Sequence, residues 1–138
     1  MNNARSVPTI RGRTIGLFFF TCVQFLIGGI HVFFGLWLIS ATANFSSLQQ
    51  TTQIYNIYTL AFGLLVLLFT YGIWKGKKWG WTGTVAALLF VTVVDALTLL
   101  NLPSIPGIPN FAAGAEIVYS VLVLLYLSQR HVRTGYKI

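Results

Sequence analysis

The sequence predicts an all-α polytopic membrane protein with four transmembrane helices and both termini on the cytoplasmic side, and three observations carry that expectation. Hydrophobic residues make up 56% of the chain and charged residues 8%, where a soluble domain carries about 25% charged residues; mean hydropathy is +0.77. Four apolar runs, Ile15 to Ile39, Ile54 to Trp74, Trp81 to Leu102 and Phe111 to Leu127, contain no Lys or Arg, and about 20 such residues cross a bilayer core of about 30 Å. All 9 basic residues fall before the first run, between the second and third, or after the fourth. By the positive-inside rule those segments are cytoplasmic.

Helix is the expected state of every run, because lipid cannot satisfy open backbone groups and the runs are continuous, where barrel strands would alternate. The first follows Arg5, Arg11 and Arg13 and ends near Ala41-Thr42-Ala43, which has the form of a signal-peptidase site. A run of roughly 25 residues exceeds the 7 to 15 of a signal core, and it contains Gln24 and His31, so it is read as a genuine helix. Gln24, Gly28, His31 and Gly35 follow the i, i+4, i+7, i+11 pattern of one helix face. Two glycines there permit close approach, and two side chains offer hydrogen bonds. Cys22 is the one cysteine, which excludes an internal disulfide and leaves a small packing residue.

The loop that follows, "SATANFSSLQQTTQ", is polar and uncharged, with a glycosylation sequon at Asn44-Phe45-Ser46. The second run brings Tyr55, Asn56, Tyr58 and Thr59 near the outer surface. It leads into "WKGKKWGW", where Trp74, Trp79 and Trp81 bracket Lys75, Lys77 and Lys78. Indole rings favour the headgroup zone and ammonium groups attract anionic headgroups, so this connection is expected to anchor a helical hairpin to cytoplasmic membrane lipids. The other outer loop, "NLPSIPGIPN", spaces Pro103, Pro106 and Pro109 by three. That interval suits an extended polyproline-type strap with its rings along one edge.

Both acidic residues of the chain, Asp95 and Glu116, lie inside apolar runs. An aspartate at the centre of a spanning helix costs roughly 2.5 to 3.5 kcal/mol on insertion scales, so such groups face a bundle interior, a wet cavity or a partner. Asp95 is about 10 Å from the outer end of the third run, and Glu116 about 8 to 9 Å from the outer start of the fourth, at 1.5 Å per residue. Antiparallel helices joined by a short loop then hold the two carboxyls at similar depth, where neighbours would share a proton. His31 lies slightly deeper, and Tyr119 and Ser120, one turn beyond Glu116, can donate to it. The candidate intramembrane polar cluster is therefore Asp95, Glu116, His31, Gln24 and Tyr119. Structural hydrogen bonding, proton or cation handling and contact with a partner subunit all remain open for it.

Imidazole is the usual axial ligand of haem and of many metals, but a single histidine in a membrane helix implies neither a haem, a chlorin nor a metal. No Cys-x-x-Cys, His-Glu-x-x-His, Gly-x-Ser-x-Gly or phosphate-binding glycine loop is present, so no catalytic residue is named. The +7 net charge is a one-sided topology signal and membrane-surface collar, and it displaces nucleic-acid binding as an explanation.

The stretch "GLLVLLFTYGIWKGKKWGW", the Pro-Gly-Ile-Pro turn and the closing "LLYLSQRHVRTGYK" resemble a layout that recurs among uncharacterised small four-helix integral membrane proteins of bacteria and archaea. The resemblance covers residues 55 to 137. It implies the fold and a prokaryotic plasma membrane, and brings no activity. The functional expectation is a non-catalytic accessory subunit of a larger respiratory, photosynthetic or oxygenase-type membrane complex. The alternative is a small oligomeric proton- or cation-handling channel or carrier. The first is favoured because a lone four-helix bundle has little interior for a pathway and both carboxyls lie in one leaflet.

Overall fold

The computed structural model describes residues 9–10, 13–43 and 50–136. A minimal antiparallel pair, β1 (Thr9–Ile10) and β2 (Arg13–Thr14), precedes four long helices: α1 (Ile15–Ala43), α2 (Gln50–Trp74), α3 (Lys78–Leu99) and α4 (Asn110–Ser128). A short α5 (Arg130–Gly135) follows. All four long helices are long and apolar enough to cross a membrane. The sequon at Asn44-Phe45-Ser46 and the rest of 44–49, which connect α1 to α2, lie outside the described residues.

The helix ends explain where the observed bounds depart from the apolar runs. The third run starts at Trp81, yet α3 starts at Lys78, because the preceding turn is very short. Gly76 takes φ 68°, and the N–H groups of Gly76 and Lys77 bond the carbonyls of Ile73 and Gly72 at 2.9 and 2.8 Å. This is a Schellman cap, which ends α2 and lets α3 begin at once. The far end of α3 closes in the same way at Asn101, φ 55°, with Asn101 bonding Thr98 and Leu102 bonding Leu97. The cap stops α3 three residues short of the apolar run, since asparagine tolerates the left-handed region.

The proline loop departs from a continuous extended strap. Gly107 takes φ 96°, so Pro106-Gly107 turns the chain and the three rings cannot share one edge. All three prolines are exposed, while Ile108 folds back to line a cavity.

Side-chain polarity is distributed inside out. Thr21, Gln24, Asn56, Thr70, Asp95 and Ser120 are 2% exposed or less, while Leu26, Phe33 and Phe111 are 64, 66 and 88% exposed. A bundle stable in water would reverse this, whereas lipid accepts the outer face and rewards polar contacts within. The buried threonines discharge their donors locally: Thr21 bonds Leu17 O at 2.9 Å, Thr70 bonds Val66 O at 2.6 Å and Thr84 bonds Gly80 O at 2.8 Å.

Successive helices pack antiparallel. A Cβ added to Gly63 would lie 2.7 Å from Val32 N of α1, and one on Gly72 would lie 2.7 Å from Gly80 Cα of α3. Backbones therefore approach closely at both crossings, as small residues allow. The α1 to α4 seam is different: it is bridged by long side chains, such as Phe20 and Tyr126, whose rings are 5.3 Å apart.

The end of the bundle that carries Lys75, Lys77, Lys78, Arg130 and Arg133, here the basic end, is plugged by apolar packing. Leu17, Ile73, Leu88, Val123, Leu127 and Val132 form one core with Tyr136. The Tyr136 hydroxyl donates to Ile73 O at 3.0 Å and the Trp81 indole N–H donates to Leu127 O at 3.2 Å. Each occupies a terminal carbonyl that the helix itself leaves open.

Candidate functional site

Near the opposite end, the four helices bring together side chains from distant parts of the chain. The His31 imidazole on α1 places Nδ1 2.9 Å from Ile27 O, one turn back. A carbonyl only accepts, so Nδ1 carries the proton. Nε2 then faces Glu116 Oε1 on α4 at 3.7 Å. Behind this pair stands Asp95 on α3, 0% exposed. Neither of its oxygens has a hydrogen-bond donor. Its acidic neighbour is Glu116 on α4, close enough for the two carboxyls to interact electrostatically.

That arrangement constrains protonation. With both acids ionised and His31 neutral, a ring lone pair and two carboxylates would face one another with no donor among them. Three acceptors in a low-dielectric interior repel, and each loses the hydrogen bonds that water would supply. Full ionisation of both acids beside a neutral imidazole is therefore unfavourable.

Glu116 thus pairs with His31 and lies in electrostatic range of Asp95, while Gln24 and Tyr119 pair with each other beside them. The Tyr119 hydroxyl donates to Gln24 Oε1 at 2.5 Å, so it serves α1 and is not the donor for Glu116 that its spacing allows. Ser120, buried beside them, has no partner for its hydroxyl. Thr92 and Thr98 return their hydroxyls to Leu88 O and Val94 O at 2.7 and 3.0 Å. Neither relieves Asp95.

Two cavities converge on the cluster. One, of about 150 Å3, lies at the non-basic end between α1, α2 and α4, against His31, Tyr58, Phe62, Ile108 and Glu116. The other, of about 210 Å3, lies in the α1 to α4 seam and shares His31, Phe62 and Glu116 with the first. Its walls are almost wholly apolar and it reaches the surface at exposed Ala115. His31 and Glu116 remain 22 and 29% exposed, so a ligand reaches Glu116 before Asp95.

Phe62 belongs to the site without having been singled out in the sequence. It sits at a T-shaped 5.3 Å from the His31 ring and stacks on Tyr58 at 6.2 Å. The available signal was its i+4 spacing from Tyr58, which puts both rings on one face. The Tyr58 hydroxyl is buried without a partner and lies in the electrostatic reach of Glu116 and Asp95.

The lysines and tryptophans of the tight connection lie at the basic end, away from the cluster. Lys75, Lys77, Lys78 and Trp79 are exposed, Trp74 packs 6.0 Å from Phe18, and Trp81 is committed to α4. Among the described residues no set of three or more His, Cys, Asp and Glu side chains is arranged to hold a metal ion. Comparison with protein families, curated proteins and solved structures gives no match to this chain.

Proposed function

We propose that this chain is a non-catalytic integral membrane protein that binds and releases a proton or small cation at the Asp95–Glu116 pair, acting as a small channel or carrier. The observation that carries it is Asp95: wholly enclosed, without a donor, and set against the other acid of the chain. A carboxylate kept for structural hydrogen bonding would have donors, and buried polar groups without them are rare. An intramembrane acid left in this state is the mark of a proton or cation site.

The basic end is cytoplasmic in this proposal, with both termini inside and the acid cluster opening outward, by the positive-inside rule. Lys78 begins α3, where a cation opposes the helix dipole; attraction to anionic headgroups in a prokaryotic plasma membrane accounts for its placement. The accessory-subunit reading keeps one supporting feature, the partly exposed His31 and Glu116 in the α1 to α4 seam, where a neighbouring subunit can dock. The enclosure of Asp95 by the chain's own helices weighs against it. The cavities beside the cluster answer the objection that the bundle has no interior.

The test is infrared absorption of purified protein in lipid, paired with proton flux in proteoliposomes. A carboxylic-acid band that shifts in Asp95→Asn and Glu116→Gln, with flux lost in both, is the expected result. Wild-type protein without such a band and without flux refutes the proposal. Mass analysis after gentle extraction from native membrane, showing stoichiometric foreign subunits, would restore the accessory reading.

A further inference from the structure

We infer that the ligand exchanged for the proton is an organic ammonium with a ring-sized apolar group, which enters from the lipid through the α1 to α4 seam. This rests on the proposed cation-binding role and names the class of cation. Four features of the site select it.

The first is charge. The groups facing the site are His31 from α1, Tyr55 and Tyr58 from α2, Asp95 from α3, and Glu116 and Tyr119 from α4, with no lysine or arginine among them. An arriving monovalent cation that displaces one proton leaves the total charge unchanged. The second is coordination. A dehydrated metal ion requires several oxygen or nitrogen ligands, and no such set is present among the described residues. An alkylammonium requires one accessible carboxylate, which Glu116 supplies.

The third feature is the wall. Tyr58 and Phe62 stack beside Glu116, and aromatic faces with a carboxylate are what an organic cation prefers over water. The fourth is size and access. The cavity of about 150 Å3 at the non-basic end matches the space that admits one benzene-sized group, and the seam cavity of about 210 Å3, which shares His31, Phe62 and Glu116 with it, reaches the surface at Ala115 between apolar walls. Glu116 then meets the cation, and Asp95, fully enclosed behind it, gives up the proton that the cation displaces. Asp95 is a positioning residue here.

The experiment is titration calorimetry of the full chain in lipid nanodiscs with benzyltrimethylammonium, in two buffers of different ionisation enthalpy. Tetramethylammonium supplies the charge without the ring, and benzyl alcohol the ring without the charge. Expected is saturable binding at least tenfold tighter than either control, with release of one proton. Glu116→Gln abolishes it. Asp95→Asn keeps binding but loses proton release. Ala115→Phe, which fills the seam cavity and leaves both carboxyls in the chain, weakens binding at least tenfold, while Ala115→Ser leaves it intact. Equal affinity for benzyltrimethylammonium and the two controls, or indifference to Ala115→Phe, overturns the inference. A carboxylic-acid infrared band in a sample that ignores benzyltrimethylammonium refutes this ligand class alone; loss of both band and binding refutes the proposed function with it.

Discussion

The two ends of the bundle are built on opposite principles from helices of the same composition. At the basic end large side chains pack into one apolar core, and the Tyr136 hydroxyl and Trp81 indole each cover a helix-terminal carbonyl. At the other end an enclosed carboxyl lacks a donor, a tyrosine hydroxyl lacks a partner, and space remains beside the tyrosine. One end is optimised for packing; the other retains unsatisfied groups, which proteins keep where they serve function. Substitutions at the two ends should therefore move stability in opposite directions.

The largest effect is expected at the glycine crossing. A Cβ on Gly80 would lie 2.4 Å from Gly72 C, and since backbone cannot yield as a side chain tip does, Gly80→Val should prevent α2 and α3 from meeting. The measurement is size-exclusion elution in mild detergent, with aggregation expected in place of a single folded peak. Next comes Leu127→Ala. This side chain is 0% exposed in the basic-end core, and large-to-small substitution at such a site costs about 2 to 5 kcal/mol. Denaturant unfolding in detergent checks it, and a loss below about 1 kcal/mol would show that the plug is loosely packed.

Much of this division is visible in the sequence, but unevenly. The runs and basic collar announce four lipid-spanning helices because burying charge in hydrocarbon is so unfavourable that composition alone reports it. The depth of Asp95 and Glu116 follows from helix rise and a short loop. Whether they face each other depends on helical phase, which one sequence does not fix; only the packing of α3 and α4 against the other helices sets it. The same holds for Tyr119, which has two acceptors within reach and goes to Gln24. Phe62 looks like any other apolar residue of its run, and its role depends on which rings its neighbours turn inward. The Schellman caps are local, with Gly76 and Asn101 both legible as helix stops, but apolar continuity masks the second.

Two smaller effects sharpen the contrast. Asp95→Asn should stabilise the fold by about 1 kcal/mol while removing the exchangeable proton, because the amide presents N–H donors to the Glu116 carboxylate at any pH, where wild type must either bury a second charge or take up a proton from neutral solution to do so. The same unfolding assay should show the midpoint rise, and a fall would mean that an ionised Asp95 has a partner the protein depends on. Tyr136→Phe keeps the ring in the plug and removes only the bond to Ile73 O, whose second donor is the Gly76 N–H of the α2 cap. Since that carbonyl keeps one partner, the loss should be about 0.5 to 1 kcal/mol, at the low end for a buried hydrogen bond. The signs matter more than the sizes: removing a hydroxyl from the end where polar groups are matched weakens the bundle, and neutralising a carboxyl at the end where they are not strengthens it.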